Sequence, residues 1–181
     1  AARQLPDINR LFIETLAWTG GRITEVLNLT PLAFDLAEGT VTLMTLKRRK
    51  RVLRQVPLPS ELLAELDQHF DLRAAQRDAG RAGHRLWTFS RVTGWRIIKQ
   101  VMCSADIFGE RACARGFRHG FGVGAVRCGV PITLIKRWLG HARLSTTEIY
   151  LGVVGDEERS FARRFWSDAA PRPTSADEFT A

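Results

Sequence analysis

The chain has 181 residues, 45% of them hydrophobic, a formal net charge of +8 and a sequence pI near 10.4. That length suits one compact domain with a real core, or a domain with a short appendage, and no apolar run approaches the roughly 18 to 20 residues of a membrane span. The start lacks a signal-peptide pattern, no membrane partner is expected, and the positive charge favours an anionic partner, of which nucleic acid is the commonest.

Ile8, Leu11, Phe12, Thr15 and Leu16 recur at helical spacing after Pro6-Asp7, and Gly20-Gly21 ends that helix. A second helix is predicted over residues 22–29, with Ile23, Val26 and Leu27 available for the core. GTVTLMTL (39–46) is β-branched and apolar, KRRKR (47–51) is a charged tip, and VLRQVPL (52–58) returns as a second strand. Together they predict a β-hairpin with a basic turn. Ser60 is read as the cap of ELLAELDQHF, whose Leu62, Leu63, Leu66 and Phe70 face one way. Residues 71–84 are polar and Gly/Ala-rich, and read as a frayed helix end and loop. Ser90 caps a helix through Trp95, Ile98 and Met102, and further helices fit 117–128, 132–139, 145–151 and 156–166. The fold is therefore mainly α with a small antiparallel β-sheet. Residues 1–166 form the folded domain, and 167–181 have the composition of a flexible tail.

Cys103, Cys113 and Cys128 are an odd set without metal spacing, and read as reduced thiols of a cytoplasmic protein. His69, His84, His119 and His141 are too scattered to suggest zinc, so no cofactor is expected.

The chemistry gathers in four segments. HARLSTTEIYLGV (141–153) holds the only tyrosine, Tyr150, and its Ser145 and Glu148 have the spacing of a capping box. A tyrosine alone reads as a core residue. In TGGRITEVLNL (19–29), Arg22 and Glu25 stand i, i+3, so the carboxylate can hold the guanidinium. In RGFRHGFGVGAVRCGV (115–130), Arg118 is placed at a helix start, where guanidinium and helix dipole can serve one anion. KRRKRVLR (47–54) packs six basic residues into eight positions, a density that suits nearby phosphates.

Arg22 in TGGRITEVLNL, Arg118-His119 in GFRHGF, LGH at 139–141 and LSTTEIY at 144–150 occur in this order at suitable spacings. The chain thus resembles the catalytic domain of the tyrosine recombinase (phage integrase) family over roughly residues 8–166. The resemblance implies that fold and a site-specific strand-exchange enzyme acting on double-stranded DNA. Tyr150 would be the nucleophile, forming a 3′-phosphotyrosine and freeing a 5′-hydroxyl. Arg22 and Arg118 would clamp the scissile phosphate, and His141 would add a hydrogen bond. A hairpin lysine would protonate the leaving 5′-oxygen. Counting along the first strand gives Lys47, while counting back from Val56-Pro57-Leu58 points to Arg49 or Lys50. Covalent storage of the phosphodiester energy requires neither metal nor ATP. Arg48, Arg49, Lys50, Arg51, Arg54, His119, Lys136 and Arg143 are the further groups expected on DNA.

The resemblance has two departures. The family usually reads His-x-x-Arg before the second arginine, whereas this chain reads Arg115-Gly-Phe-Arg118. Arginine cannot accept a proton at neutral pH. Either Arg115 is a third phosphate ligand with water as the base, or the chain is a weakened, DNA-binding relative. His119 follows Arg118 directly, and neighbouring side chains diverge on a helix, so it is not expected to substitute. Only about seven residues precede the first helix, so the family's N-terminal DNA-clamping domain is expected to be absent, whether removed or naturally lacking, and affinity is expected to rest on phosphate contacts and to fall with salt. Residues 156–166 are expected to pack either in cis or into a neighbouring protomer of a tetramer on DNA, with the isolated domain a monomer. A nucleoid-associated protein of prokaryotic, phage or plasmid origin is implied. A type IB topoisomerase-like activity shares the chemistry and is the further alternative.

Overall fold

The computed structural model describes residues 5–47, 50–148 and 150, with the backbone alone at 46, 47 and 50. The apolar stripe of the first helix is buried as its spacing requires: α1 (Asp7–Thr19) turns Leu11, Phe12, Ile13 and Leu16 inward. Its buried threonines return their hydroxyls to the backbone, Thr15 Oγ1 to Leu11 O at 2.7 Å and Thr19 Oγ1 to Thr15 O at 2.5 Å. Gly20 ends α1 at φ 57°, the left-handed cap that glycine adopts without steric cost. Helix α2 (Ile23–Leu27) follows, shorter than 22–29 because Arg22 is its N-cap and Asn28 its C-cap.

A 3₁₀ turn (Pro31–Ala33) leads into β1 (Phe34–Asp35), β2 (Thr40–Lys47) and β3 (Lys50–Pro57), an antiparallel sheet in the order β1-β2-β3. The predicted hairpin is β2–β3, with Val41 opposite Val56, Leu43 opposite Arg54, and Lys47 opposite Lys50. Val41, Leu43 and Val56 are buried while Met44, Leu53 and Gln55 are exposed, the alternation of a half-buried sheet. Strand β1 was not predicted, because two residues are too short to show a period.

Helix α3 (Ser60–Phe70) buries Leu62, Leu63 and Leu66, with Phe70 half-buried. Its N-cap is Pro59, whose carbonyl accepts from Leu63, so Ser60 lies inside the helix and bonds the Glu61 carboxylate instead. Residues 71–84, read as a frayed helix end and loop, hold instead a short separate helix after the left-handed Asp71 that ends α3. Helix α4 (Leu72–Arg77) forms there because Leu72 and Ala75 have core to bury, and Gln76 Nε2 ties it to Pro31 O and Phe34 O. Helix α5 (Arg91–Ser104) is capped as predicted, Ser90 Oγ accepting from Thr93 N at 3.1 Å. It buries Ile98 and Met102 but leaves Trp95 facing out.

Helix α6 (Ala114–Arg127) begins before residue 117, so Arg118 lies past its first turn and away from the positive end of the dipole. Helix α7 (Ile132–Leu139) matches its predicted span. In α8 (Ser145–Glu148), the Leu144 carbonyl accepts from Thr147 and Glu148 N–H, so Ser145 again starts the helix rather than capping it. The predicted helix over 156–166 and the tail from 167 lie outside the described residues.

The main core runs between α1, the sheet, α3 and α5, around the fully buried Phe12 and Trp87. Trp87 Nε1 donates to Ile8 O at 3.0 Å, so its one polar atom is satisfied. A second apolar cluster of Val126, Ile135, Leu139 and Tyr150 joins α6 and α7 to the segment that carries the tyrosine. Among the described residues, no helix is long and apolar enough to cross a membrane.

Candidate active site

Glu25 is the electrostatic anchor of the site. It is 5% exposed, and its carboxylate accepts from Arg22 N (2.8 Å), Arg22 Nη1 (2.7 Å), Thr45 Oγ1 (2.6 Å) and Arg54 Nη2 (2.6 Å). Burial pushes its carboxyl up. The Arg54 and Arg22 hydrogen bonds and the Arg54 charge outweigh that and hold it at about 2, so it stays ionised. The predicted Arg22–Glu25 pair is therefore present, with Arg22 half-exposed at the rim.

Arg54 was expected on DNA, and the structure places it elsewhere. Its side chain is 3% exposed, with Nη1 on Thr45 Oγ1, Nη2 on Glu25 and Nε on Trp138 O at 2.7 Å. All three of its guanidinium nitrogens have protein partners, and through Nη2 it holds the Glu25 carboxylate in place. The sequence did carry a signal: Arg54 stands two residues before the buried Val56 on β3 and so shares its inward face.

Arg118 bridges the carboxyl ends of two helices. Nη1 donates to Gly20 O at 2.9 Å, just past α1, and Nη2 to Leu139 O at 2.5 Å, at the end of α7. Those carbonyls lack intrahelical partners and carry the negative ends of both dipoles, so the guanidinium satisfies them while leaving N–H groups to spare. Burial, with the Arg22 and Arg54 charges, pulls the Arg118 pKa down to about 10, which still leaves it protonated at neutral pH.

Tyr150 is 4% exposed. Its ring lies on the stripe of α6 where Gly122 sits, so closely that a Cβ at residue 122 would fall 2.6 Å from Cε2 and Cζ. The ring centroid is 5.5 Å from that of His119 and 6.3 Å from that of His141. His141 Nδ1 is 2.9 Å from Thr147 Oγ1. Burial raises the Tyr150 pKa above its ordinary 10.0, while the Arg118 charge pulls it back.

These groups meet at a cleft of about 1010 Å³ lined by Arg22, Arg91, Glu110, Cys113, Arg115, Arg118, His119 and Tyr150, with Val92 and Trp95 as an apolar wall. Of the predicted catalytic set, Arg22, Arg115, Arg118 and Tyr150 are brought together. His141 instead lines a neighbouring cleft between β3 and α7, together with Lys136. Arg51 and Arg143 are exposed. Lys47 and Lys50 are opposite each other in register, in step with Thr45 and Val52, so the two candidate acids occupy equivalent backbone positions. Arg48 and Arg49 lie outside the described residues. Sequence reasoning missed Gly122, Trp95 and the part played by Arg54. Gly122 stands at i+4 from Arg118 and i+3 from His119, a spacing that could have flagged it.

The phage integrase family profile matches residues 2–154, and the chain belongs to that family. It is 28% identical over 163 residues to tyrosine recombinase XerD of Haemophilus ducreyi, covering 87% of this chain and 54% of that protein. The chain thus spans about half the length of this curated relative. The crystal structure of XerA recombinase superposes with a TM-score of 0.67 at 27% identity, covering 94% of this chain and 61% of that one. XerH site-specific recombinase bound to palindromic difH substrate, a post-cleavage complex, shares the fold at a TM-score of 0.70 and 21% identity, covering 92% and 49%.

Proposed function

We propose that this chain is the strand-cutting and rejoining part of a site-specific DNA recombinase, with Tyr150 as the nucleophile. One observation carries the reading: the sole tyrosine lines the same cleft as Arg22, Arg115 and Arg118. Four arginines against one carboxylate make that cleft a receptor for a phosphodiester.

The mechanism follows from charge. The non-bridging oxygens of the scissile phosphate gain negative charge as Tyr150 Oη approaches phosphorus. Arg22, held by Glu25, and Arg118, held by two helix ends, are preorganised to receive it. Arg115 adds a third guanidinium at the cleft. The 3′-phosphotyrosine conserves the bond energy, a hairpin lysine protonates the leaving 5′-oxygen, and a second 5′-hydroxyl reverses the step. His141, from the neighbouring cleft, would add a hydrogen bond to the same phosphate. Tyr150 is nearly buried, so attack requires its hydroxyl to turn into the cleft it already lines. Four protomers on two duplex sites would perform a full exchange.

The test is covalent trapping on nicked suicide duplexes selected for binding to this chain. The expected result is a protein–DNA adduct that Tyr150→Phe does not form. Site-specific binding with no adduct would leave only a DNA-binding protein on this fold. Relaxation of any plasmid regardless of sequence would point to a topoisomerase-like activity instead.

A further inference from the structure

Arg115 occupies the place where a base is expected in this family, and a guanidinium cannot take a proton at neutral pH. The Tyr150 hydroxyl must nevertheless lose one to attack phosphorus. Burial holds that proton more firmly, so water alone is a poor acceptor.

We propose that His119 takes the proton from Tyr150, doing from the next turn of α6 what residue 115 cannot. This inference rests on the recombinase reading above. Arg115, His119, Gly122 and Val126 follow at i, i+4, i+7 and i+11, which is one stripe of the helix. Tyr150 lies along that stripe: it touches Gly122, shares a cluster with Val126, and has its ring centroid 5.5 Å from His119 at a 52° tilt. Arg118 and His119 do diverge, as neighbours on a helix must, but the cleft spans both directions. Arg118 reaches the ends of α1 and α7, while His119 reaches the tyrosine, and both line the cleft.

The other candidates are worse placed. Among the described residues lining the cleft, the side chains with the chemistry of a general base are His119, Glu110 and Cys113, the last only as a thiolate. Glu110 is exposed on the segment before α6, and the Cys113 thiol donates to Glu110 O at 3.3 Å. His141 is farther from the tyrosine, at 6.3 Å between ring centroids, lines the other cleft, and has Nδ1 2.9 Å from Thr147 Oγ1. The charged and titratable groups facing His119 are Tyr150 with His141 near it, Arg22, Arg91, Arg115 and Arg118, and Glu110.

The step balances. The Oη–H proton passes to a neutral imidazole nitrogen of His119, Oη bonds to phosphorus, and the P–O5′ bond breaks. The 5′-oxygen receives a proton from the hairpin lysine. In resealing, the 5′-hydroxyl displaces Oη and His119 returns its proton to the tyrosine.

The experiment compares wild type, Tyr150→Phe, His119→Gln and His119→Ala in single-turnover adduct formation on the selected suicide duplexes across pH. Wild-type cleavage is expected to fall about tenfold per pH unit on the acid side, as the imidazole becomes protonated. His119→Gln should be slower by about 100-fold at neutral pH, lose that acid limb, and keep its thermal midpoint. Added imidazole should restore cleavage to His119→Ala by at least about tenfold, which a merely structural role for His119 would not allow. A His119→Gln rate within about threefold of wild type with an unchanged pH profile overturns the proposal. So does a slow His119→Ala that imidazole leaves unmoved. An adduct that survives Tyr150→Phe defeats the recombinase reading itself, and this inference with it.

Discussion

Arg54 Nη2 lies 2.6 Å from Glu25 Oε2, both side chains are almost wholly out of solvent, and the same carboxylate holds the rim residue Arg22 through its other oxygen. The half-exposed Arg22, proposed to clamp phosphate, thus stands on a buried ion pair. Arg54 also accounts for Thr45 and the carbonyl of Trp138, so one strand residue joins α2, the hairpin and α7.

Removing one member of a buried pair leaves the other charged and unsolvated. Arg54→Met is therefore expected to cost about 3–5 kcal/mol in equilibrium denaturation. Arg22→Met, which removes a half-exposed partner of the same carboxylate, should cost about 1 kcal/mol or less while still abolishing cleavage. Equal losses from the two variants would mean that Glu25 is not anchored as described.

The same carboxylate sets an acid limb of stability. Its folded pKa of about 2 lies below the 4.5 of a free glutamate, so the unfolded chain binds the proton more readily. The resulting stabilisation, about 3 kcal/mol in magnitude, is fully present above pH 4.5 and is lost as pH falls toward 2. Denaturant midpoints for wild type and Glu25→Gln should therefore converge over that window. Curves that stay parallel from neutral pH down to 2 would remove Glu25 as the source.

Much of this arrangement was legible in the sequence, and the limits are physical. The Arg22–Glu25 pair follows from i, i+3 spacing, and the hairpin from two apolar runs around a basic tip. Ser60 and Ser145 misled because a serine ahead of an apolar run suits either the cap or the first helical turn. Only the preceding carbonyl decides, here those of Pro59 and Leu144. Helix α4 was hidden because its composition is that of a loop, and its stability comes from burying Leu72 and from the Gln76 bonds to the sheet. Arg54 read as one more charge in a basic run, since a contact across 84 residues to Trp138 leaves no local trace. His119 was set aside because neighbouring side chains diverge on a helix, and they do diverge here, Arg118 turning to the ends of α1 and α7 while both residues line one wide cleft.

Arg118 makes two planar, diverging bonds to carbonyls of α1 and α7, a geometry that an ammonium cannot copy. Arg118→Lys keeps the charge and loses the fork, so it is expected to lower stability by about 1–3 kcal/mol and cleavage by about 100-fold or more. Denaturation and single-turnover cleavage read the two effects separately. A lysine variant as fast as wild type would show that charge alone suffices at this position.

Having one tyrosine makes Tyr150, the proposed nucleophile, directly observable by near-ultraviolet absorbance. Its ionisation midpoint is expected above 10.0, because burial favours the neutral phenol. The positive charge of Arg118 opposes this, so Arg118→Met should move the midpoint further up. A downward move would place Tyr150 out of reach of that charge.

Gly122 decides where the ring can rest. A Cβ there meets the far end of the Tyr150 ring at 2.6 Å, while the helix backbone has nowhere to go. The tyrosine is the lighter element to shift, so Gly122→Ala should leave the fold intact and displace the ring from its groove. Alanine also favours a helix interior over glycine by about 1 kcal/mol, which offsets part of the lost packing. The expected result is a small change in thermal midpoint, with the Tyr150 ionisation midpoint moving down toward 10.0 as the phenol meets water. A midpoint that stays high in a folded Gly122→Ala chain would mean that the ring does not depend on the missing side chain at residue 122.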